Sequence, residues 1–368
     1  MPYVNLPYSL AKLLMPKYRK MHVPEPQRGT WIGYLEICTR LARAIRQYHS
    51  NGLCHSDLSL NNALVNPTTG QMTMIDLDGL VVEQMIPSAV DGTPGFIAPE
   101  VVLGQAKSSI NADKHALAVM IFRTLLFRHP LCGKRKFKGL LADQEERMIY
   151  GEKPLYTDHP KDISNRPGKE YVSASNSGPF LEALFARAFV EGLIRPEVRP
   201  LASDWESALL ATADLTIKCK NPACQTHAFA LNRELNGICP FCGDKHWKGA
   251  KVPVLCLYRR GTTTGTFVAE QVLGVNRAIV CFDGKCLTSR HFQDAGEVGI
   301  LKPKTVASIG LDKQGPSWRF RNHAIDLIAW TNTTGRHYCQ PGQTFSLEEN
   351  TIIELSNGRV AVAKIVSL

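Results

Sequence analysis

The chain has 368 residues, 44% of them hydrophobic, with 43 Lys and Arg against 33 Asp and Glu, a net charge of +10. At roughly 100–200 residues per domain this makes two or three domains, and so much apolar content excludes a disordered chain. The longest apolar stretches, such as Ala116–Phe122, fall far short of the roughly 20 residues a membrane-spanning helix needs. Met1-Pro2-Tyr3-Val4 does not open a signal peptide, so a cytoplasmic protein with no membrane partner is expected.

Charge is unevenly spread. Residues 1–212 hold 24 basic and 21 acidic side chains, and residues 213–368 hold the other 19 and 12, giving +3 and +7. A basic surface can serve nucleic acid or an acidic partner. No Lys/Arg run in the tail exceeds a pair, so a solvated face is the simpler reading and nucleic acid is the weaker one. The densest basic cluster is Lys134-Arg135-Lys136 with Lys138. Residues 51–100 contain no Lys or Arg but carry Asp57, Asp76, Asp78, Glu83, Asp91 and Glu100. That imbalance points to recruited cations, as at a metal–phosphate site.

Apolar positions from Trp31 to Tyr48 recur at three- and four-residue steps and predict a helix, capped by Gly29 or Thr30 and stopped by Asn51-Gly52. Asn62–Val65 and Met72–Ile75 flank the turn formers Asn66–Gly70 and predict a hairpin. Asp113–Phe127, Phe180–Val190 and Ser203–Ala213 read as further helices. After Lys251 the pattern changes to short strands: Val252–Tyr258, Ala278–Phe282, Val306–Ile309, Ser317–Phe320, Ile325–Trp330, Thr351–Leu355 and Arg359–Val366. Their spacing favours a sandwich or barrel.

His55-Ser-Asp57-Leu-Ser-Leu-Asn-Asn62 precedes the hairpin and Asp76-Leu77-Asp78-Gly79 follows it, so a carboxylate, a carboxamide and a second carboxylate meet at one end. Asp76 and Asn62 offer the oxygen ligands Mg²⁺ prefers, and Asp57 can orient or deprotonate a hydroxyl. This layout suits phosphoryl transfer, where positioning and charge neutralisation do most of the work.

The block resembles the protein-kinase catalytic loop H-R-D-L-x-x-x-N followed by D-F-G. Gly-Thr-Pro-Gly-Phe-Ile-Ala-Pro-Glu, residues 92–100, is similar to the segment ending in A-P-E. By the same resemblance Asp113 would tie the catalytic loop's backbone, His129-Pro130-Leu131 would form the turn after its helix, and Arg199 would pair with Glu100. Ser56 stands for the Arg of H-R-D, Ser59 for the usual Lys, and Leu77-Asp78 for Phe-Gly. Asp78 is the alternative metal ligand, and these departures leave room for a pseudokinase. No G-x-G-x-x-G and no V-A-I-K precede the block. Met1, Tyr3 and Val4 look like the hinge that grips adenine, so the chain is expected to begin at the hinge, to lack the ATP-binding N-lobe, and to be inactive alone.

Cys219-x4-Cys224 and Cys239-Pro-Phe-Cys242-Gly243 form two knuckles of the kind that close a tetrahedral Zn²⁺ site, with His227 as a substitute ligand and disulfides as the alternative. In the tail, Leu287–His291, Trp318–Asn322 and Pro341–Leu347 faintly resemble the forkhead-associated sandwich. There Arg290 and Asn322 would contact phosphate and peptide, and a docking role is the preferred reading. The expected fold is multidomain α+β: a mainly α kinase C-lobe (1–212), a zinc ribbon (213–249) and an all-β, forkhead-associated-like or docking sandwich (250–368). This order, with Pro16-Lys-Tyr-Arg-Lys20, resembles bacterial tellurium-resistance-associated Ser/Thr kinases. The resemblance implies ATP and Mg²⁺, a protein substrate, and a von Willebrand A-type protein and a PP2C-type phosphatase as partners. The competing expectation is a pseudokinase scaffold that binds partners through its zinc and β modules.

Overall fold

The computed structural model describes residues 6–82, 92–168, 171–234, 236–263, 266–292, 303–312, 315, 317–324, 326–355 and 358–368. The expected hinge residues Met1, Tyr3 and Val4 lie outside them, as do Glu83, Asp91 and Ile325. The chain divides into two units. One takes in Met1–Ala213, Lys218–Asn232 and Cys239–Asp244, and the other takes in Asp214–Ile217, Arg233–Ile238 and Lys245–Leu368. The stretch expected as a zinc ribbon, 213–249, is therefore shared out, and its four cysteines go with the helical unit. The reason is local: the Trp31 N–H bonds the Thr226 carbonyl at 2.8 Å, and the Trp31 ring lies 6.3 Å from that of Phe241.

In the first unit α1 (Trp31–Ser50) starts where Thr30 Oγ1 accepts from the Gly33 N–H, and Asn51 caps its end. Its buried stripe is Trp31, Tyr34, Leu35, Ile37, Cys38, Leu41, Ala42 and Ile45. The hairpin β2 (Ala63–Asn66) and β3 (Gln71–Met74) pairs Ala63 with Met74, within a residue or two of the predicted bounds. It is flanked by a pair the sequence pattern did not reveal, β1 (Leu53–His55) with β4 (Leu80–Val82). Gly33 lets α1 lie against the hairpin's turn, since a Cβ there would stand 1.9 Å from the Pro67 carbonyl oxygen. The second long helix, α2 (Ile110–Leu126), opens on a Ser109 cap. It is buried on nearly every face, as a helix apolar all round must be. Phe122 on α2 packs edge-on against Tyr156, Phe185 and Phe189 at 4.9–5.9 Å. Phe185 belongs to α3 (Pro179–Ala186), and α4 (Ala202–Asp214) follows.

The second unit is an antiparallel β region. Strands β5 (Lys251–Arg260), β6 (Phe267–Ala269), β7 (Ala278–Val280), β11 (Ile328–Asn332), β12 (Gly335–Cys339), β14 (Ile352–Glu354) and β15 (Arg359–Ser367) form one sheet. The other holds β8 (Lys285–Thr288), β9 (Thr305–Leu311), β10 (Trp318–Asn322) and β13 (Thr344–Ser346). Leu255, Leu257, Ile353 and Ala361 of the first share one core with Ile309, Phe320 and Phe345 of the second, so the region is a two-layer sandwich, as the spacing predicts. Strands β6, β8, β12 and β13 were not expected. Gly335-Arg-His-Tyr-Cys339 shows why: it is a mostly polar edge strand that carries no apolar run.

The phosphopeptide-reading pair is not assembled. Asn322 is fully buried, and its amide bonds the carbonyls of Asp326 and Cys339 and the Ala324 N–H. Arg290 holds Asp214 at 2.5 Å. That aspartate also meets His291 Nε2 at 2.9 Å and Arg277 Nη2 at 3.4 Å. Arg277 reaches Glu270 as well, and Arg359, buried, clamps the same glutamate. Part of the tail's basic excess is thus spent inside the fold on two buried carboxylates. It is not all a solvated face.

Burial alone would push the Asp214 carboxyl up. Arg290, His291 and Arg277 together reverse this and hold it well below the usual carboxylate range. Its contribution to stability is therefore complete above the ordinary pKa of about 3.9 and is lost as pH falls through the lower native value. Asp214→Ala strands the half-buried Arg277 and Arg290, which costs about 3 kcal/mol, the low end for breaking a buried pair. Urea unfolding of the variant should show a loss of that size, and an unchanged midpoint would mean the cluster carries no net stability.

Candidate functional site

The expected catalytic block lies where β1, the turn before β2 and the turn after β3 come together. Asp113, buried on the first turn of α2, accepts from the His55 backbone N–H at 2.7 Å and from His49 Nε2 at 3.1 Å. Burial raises its pKa, and the two histidine contacts work against that rise. Asp113 thus ties the loop's backbone to the central helix.

The His55 ring joins the two candidate carboxylate positions. Its Nδ1 accepts from the Asp57 N–H at 3.3 Å, which leaves the ring proton on Nε2 to donate to the Asp76 carbonyl at 3.0 Å. Asn62 reaches the same place from the hairpin, its carbonyl accepting from the Ile75 N–H at 2.8 Å. Asp76 itself is left-handed, with φ 58° and ψ 67°. Asp tolerates this conformation better than most residues, and such strain gathers at functional sites. The carboxylates of Asp76 and Asp78 are exposed. Asn62 is buried and its Oδ1 accepts from both the backbone N–H and the hydroxyl of Ser59, at 2.9 and 2.6 Å. That oxygen is engaged in closing the turn, so ligating a metal with it requires the side chain to turn.

Two residues to which sequence reasoning assigned a place in a motif but no contact complete the site. Thr93 donates its hydroxyl to Asp57 Oδ1 at 2.6 Å. His129, after α2, donates from Nε2 to the Gly95 carbonyl at 2.7 Å while its Nδ1 accepts from the Leu131 N–H. Arg123 lies 4.9 Å from the Phe96 ring centroid. The segment from Gly92 to Glu100 is thus held at four points, the last being Glu100. Its two carboxylate oxygens receive Arg199 Nη1 and Nη2, each at 2.7 Å, with Arg199 fully buried. Between this segment and the loop lies a cleft of about 300 Å³ lined by His55, Ser56, Leu58, Thr93, Phe96 and Asp113. Ser56, where the resemblance has Arg, donates to the Gly79 carbonyl.

Burial pulls the His129 pKa down to about 4, against the pull of its Gly95 hydrogen bond. A buried neutral histidine must charge when the chain unfolds. Its contribution is therefore complete above about pH 6.5 and drains away as pH falls toward the native value, by roughly 3 kcal/mol at most. Unfolding free energy measured across that window should fall with acid, and His129→Asn should flatten the slope. An equal slope in the variant would assign the acid sensitivity elsewhere.

The four cysteines also meet. Their Sγ atoms all lie within 4.8 Å of one another, with Cys219 and Cys242 at 3.6 Å and Cys224 and Cys239 at 3.8 Å. A disulfide would bring two sulfurs to about 2.05 Å. Four thiolates each about 2.3 Å from one ion stand about 3.8 Å apart in a tetrahedron. The cluster therefore fits zinc. The Gly243 N–H bonds the Cys239 carbonyl and the Asp244 carbonyl receives the Cys239 N–H, which closes the second knuckle. His227, at φ 53°, turns the chain after the first knuckle and is not among the four converging side chains. Among the described residues no helix is long and apolar enough to cross a membrane.

Residues 13–187 match the family model described as the protein kinase domain. The chain is 34% identical to Protein kinase C-like 2 of Schizosaccharomyces pombe over 134 residues, which is 34% of this chain and 12% of that protein. It is 24% identical to the serine/threonine-protein kinase PknD of Chlamydia pneumoniae over 261 residues, 64% of this chain and 25% of that one. It is 26% identical to the serine/threonine-protein kinase PknA of Mycobacterium tuberculosis over 217 residues, 55% of this chain and 48% of that one. The chain thus spans between an eighth and a half of the length of these relatives.

Proposed function

We propose that the protein kinase domain matched by residues 13–187 is the acceptor-holding, catalytic-loop half of a Ser/Thr phosphotransferase. The observation that carries this reading is the His55 ring between Asp57 and Asp76, with the Asp57 carboxylate steadied by Thr93. Thr93 occupies one carboxylate oxygen, and the other is free to take the hydrogen of an acceptor hydroxyl and aim its oxygen at the phosphorus. The exposed Asp76 carboxylate is the ligand for Mg²⁺, with Asp78 beside it and Asn62 as second ligand once its side chain turns. When bound with ATP, Mg²⁺ neutralises charge on the phosphate oxygens. Glu100, Asp113 and Arg199 hold the frame and touch no substrate.

Nowhere in the sequence do two glycines stand two positions apart, so no G-x-G-x-x-G is present. We read the phosphate-gripping strands and lysine as supplied from outside these 368 residues. With Mg-ATP and a generic Ser/Thr protein acceptor, the 368 residues alone should transfer phosphate at background level, while an assembly that supplies the phosphate-gripping strands and lysine should phosphorylate itself or the acceptor. Robust transfer by the 368 residues alone would overturn this division of the site. Zn²⁺ in the four-cysteine cluster is structural, since all four tetrahedral positions are filled by protein. The resemblance to tellurium-resistance-associated kinases adds a von Willebrand A-type protein and a PP2C-type phosphatase as proposed partners.

A second reading, a pseudokinase scaffold, is favoured by one observation: Asn62 Oδ1 is consumed by Ser59, the residue standing where a lysine is usual. Calorimetric titration of that assembly with Mg-ATP separates the two, because only the enzyme binds the nucleotide with a magnesium requirement.

A further inference from the structure

The basic cluster Lys134-Arg135-Lys136 and Lys138 has no part in the site described above, yet the fold gives it a defined setting. The loop carrying it follows α2 and borders a pocket of about 470 Å³. Leu131, Phe137 and Ile149 supply its apolar lining, and Arg135, Lys136 and Lys153 its positive rim, with Glu145 the single carboxylate. Among the described residues Lys134, Lys136, Lys138 and Lys153 make no salt bridge, and all four are exposed.

The loop is held in place from beneath. Asn165 is 2% exposed. Its Nδ2 donates to the carbonyls of Leu131 and Leu155, at 2.9 and 2.6 Å, and its Oδ1 accepts from the Arg135 N–H. One buried amide therefore staples the two walls of the pocket. Gly133 permits the approach, since a Cβ there would meet the Asn165 carbonyl oxygen at 1.7 Å. Arg135 is aligned over the Phe137 ring at 5.2 Å and bonds the Lys153 carbonyl. The cations are thus presented on a fixed support, which lowers the entropic cost of using them.

The pocket is linked to the Gly92–Glu100 segment through two side chains, Tyr150 and His129. Cys132 Sγ lies 3.2 Å from Tyr150 Oη, the Tyr150 ring packs 5.1 Å from that of His129, and His129 bonds the Gly95 carbonyl two residues from Thr93. The catalytic stretch 51–100 has six carboxylates and no cation of its own. An acidic substrate gains no attraction there, so its affinity must come from a neighbouring surface of opposite charge.

We propose that this pocket docks an acidic segment of the protein substrate, its carboxylates on the lysine rim and one apolar side chain among them on Leu131, Phe137 and Ile149. The proposal rests on the phosphotransferase reading for the word substrate and on the pocket's own geometry for the docking. The test is fluorescence anisotropy with the full chain and no nucleotide, so docking and phosphotransfer succeed or fail separately. The probe is a dye-labelled Glu-rich peptide with one central Leu, and a Lys-rich peptide of the same length is the control.

The expected result is binding of the acidic peptide alone, weakening steeply as salt is raised. A Lys134→Gln, Lys136→Gln, Lys153→Gln triple variant should bind about tenfold more weakly, and the charge reversal Lys136→Glu should weaken binding in the same direction without touching the loop's support. Equal binding by both variants would overturn the proposal. So would phosphatidylserine vesicles or a single-stranded oligonucleotide binding through the same lysines as tightly as the peptide does, since either would make this a general polyanion surface.

Discussion

Asp57→Ala in an assembly active with Mg-ATP is expected to lower phosphate incorporation by about 10²- to 10⁴-fold, the usual worth of a positioned acid–base group. The carboxylate does two things that alanine cannot. It offers an oxygen to an acceptor hydroxyl, and it anchors Thr93 at 2.6 Å and with it the start of the Gly92–Glu100 segment. Asp57→Asn separates these effects. The amide oxygen can still accept from Thr93 and hold the segment, but it cannot take a proton. Loss of rate in both variants with little change in acceptor KM assigns Asp57 to the transferring step. A large KM increase in the alanine variant alone assigns it to holding the segment. Activity within threefold of wild type in both would remove Asp57 from the mechanism and leave the scaffold reading standing.

Metal removal should act on stability. The chain is expected to carry one equivalent of zinc, and chelation should lower its unfolding midpoint by roughly 10 °C or more. Metal binding free energy of about 10–16 kcal/mol in isolated zinc-finger peptides becomes folding free energy, and a loss of even a few kcal/mol moves the midpoint of a chain this size by several degrees. Two features localise the damage. The first knuckle's Thr226 carbonyl takes the Trp31 N–H at the start of α1, and Phe241 of the second packs against the same tryptophan. Cys239→Ser, at a buried ligand, should reproduce the effect of the chelator and abolish any further effect of it. A zinc-free chain that melts at the same temperature would show that the four thiols are held by the fold alone.

What the sequence reveals and what only the fold reveals follow from distance along the chain. Motifs whose parts are close in sequence were legible: the loop from His55 to Asn62, the hairpin that brings Asp76 back, and the two cysteine knuckles. In each, short spacing forces proximity, so residue type and turn formers suffice. The Arg199–Glu100 pair and the Asp113 tie to His55 span much longer separations and were legible only through a family resemblance, because no local rule connects such positions.

Thr93 and His129 lay in motifs legible in the sequence, but their bonds to Asp57 and to Gly95 were not, and the Asn165 staple had no sequence signal at all. A threonine in a Gly-Pro segment, a histidine before proline and an asparagine in a loop show no partner until packing supplies one. The left-handed Asp76 and the occupied Asn62 oxygen are likewise decided by the surrounding fold, which supplies the hydrogen bonds that make those conformations the best available.

The chain's charge shows the same division. The sequence by itself determined that the chain is basic, that residues 51–100 hold none of that charge, and that residues 134–138 hold it most densely. Only the tertiary structure decided what the charge does. It turned Arg277, Arg290 and Arg359 inward onto Asp214 and Glu270, and left the 134–138 lysines in water around a pocket. The physical reason is that a charge's energy depends on its surroundings far more than on its count: the inward-turned cations were settled by buried carboxylates, and the exposed ones remain free for a partner.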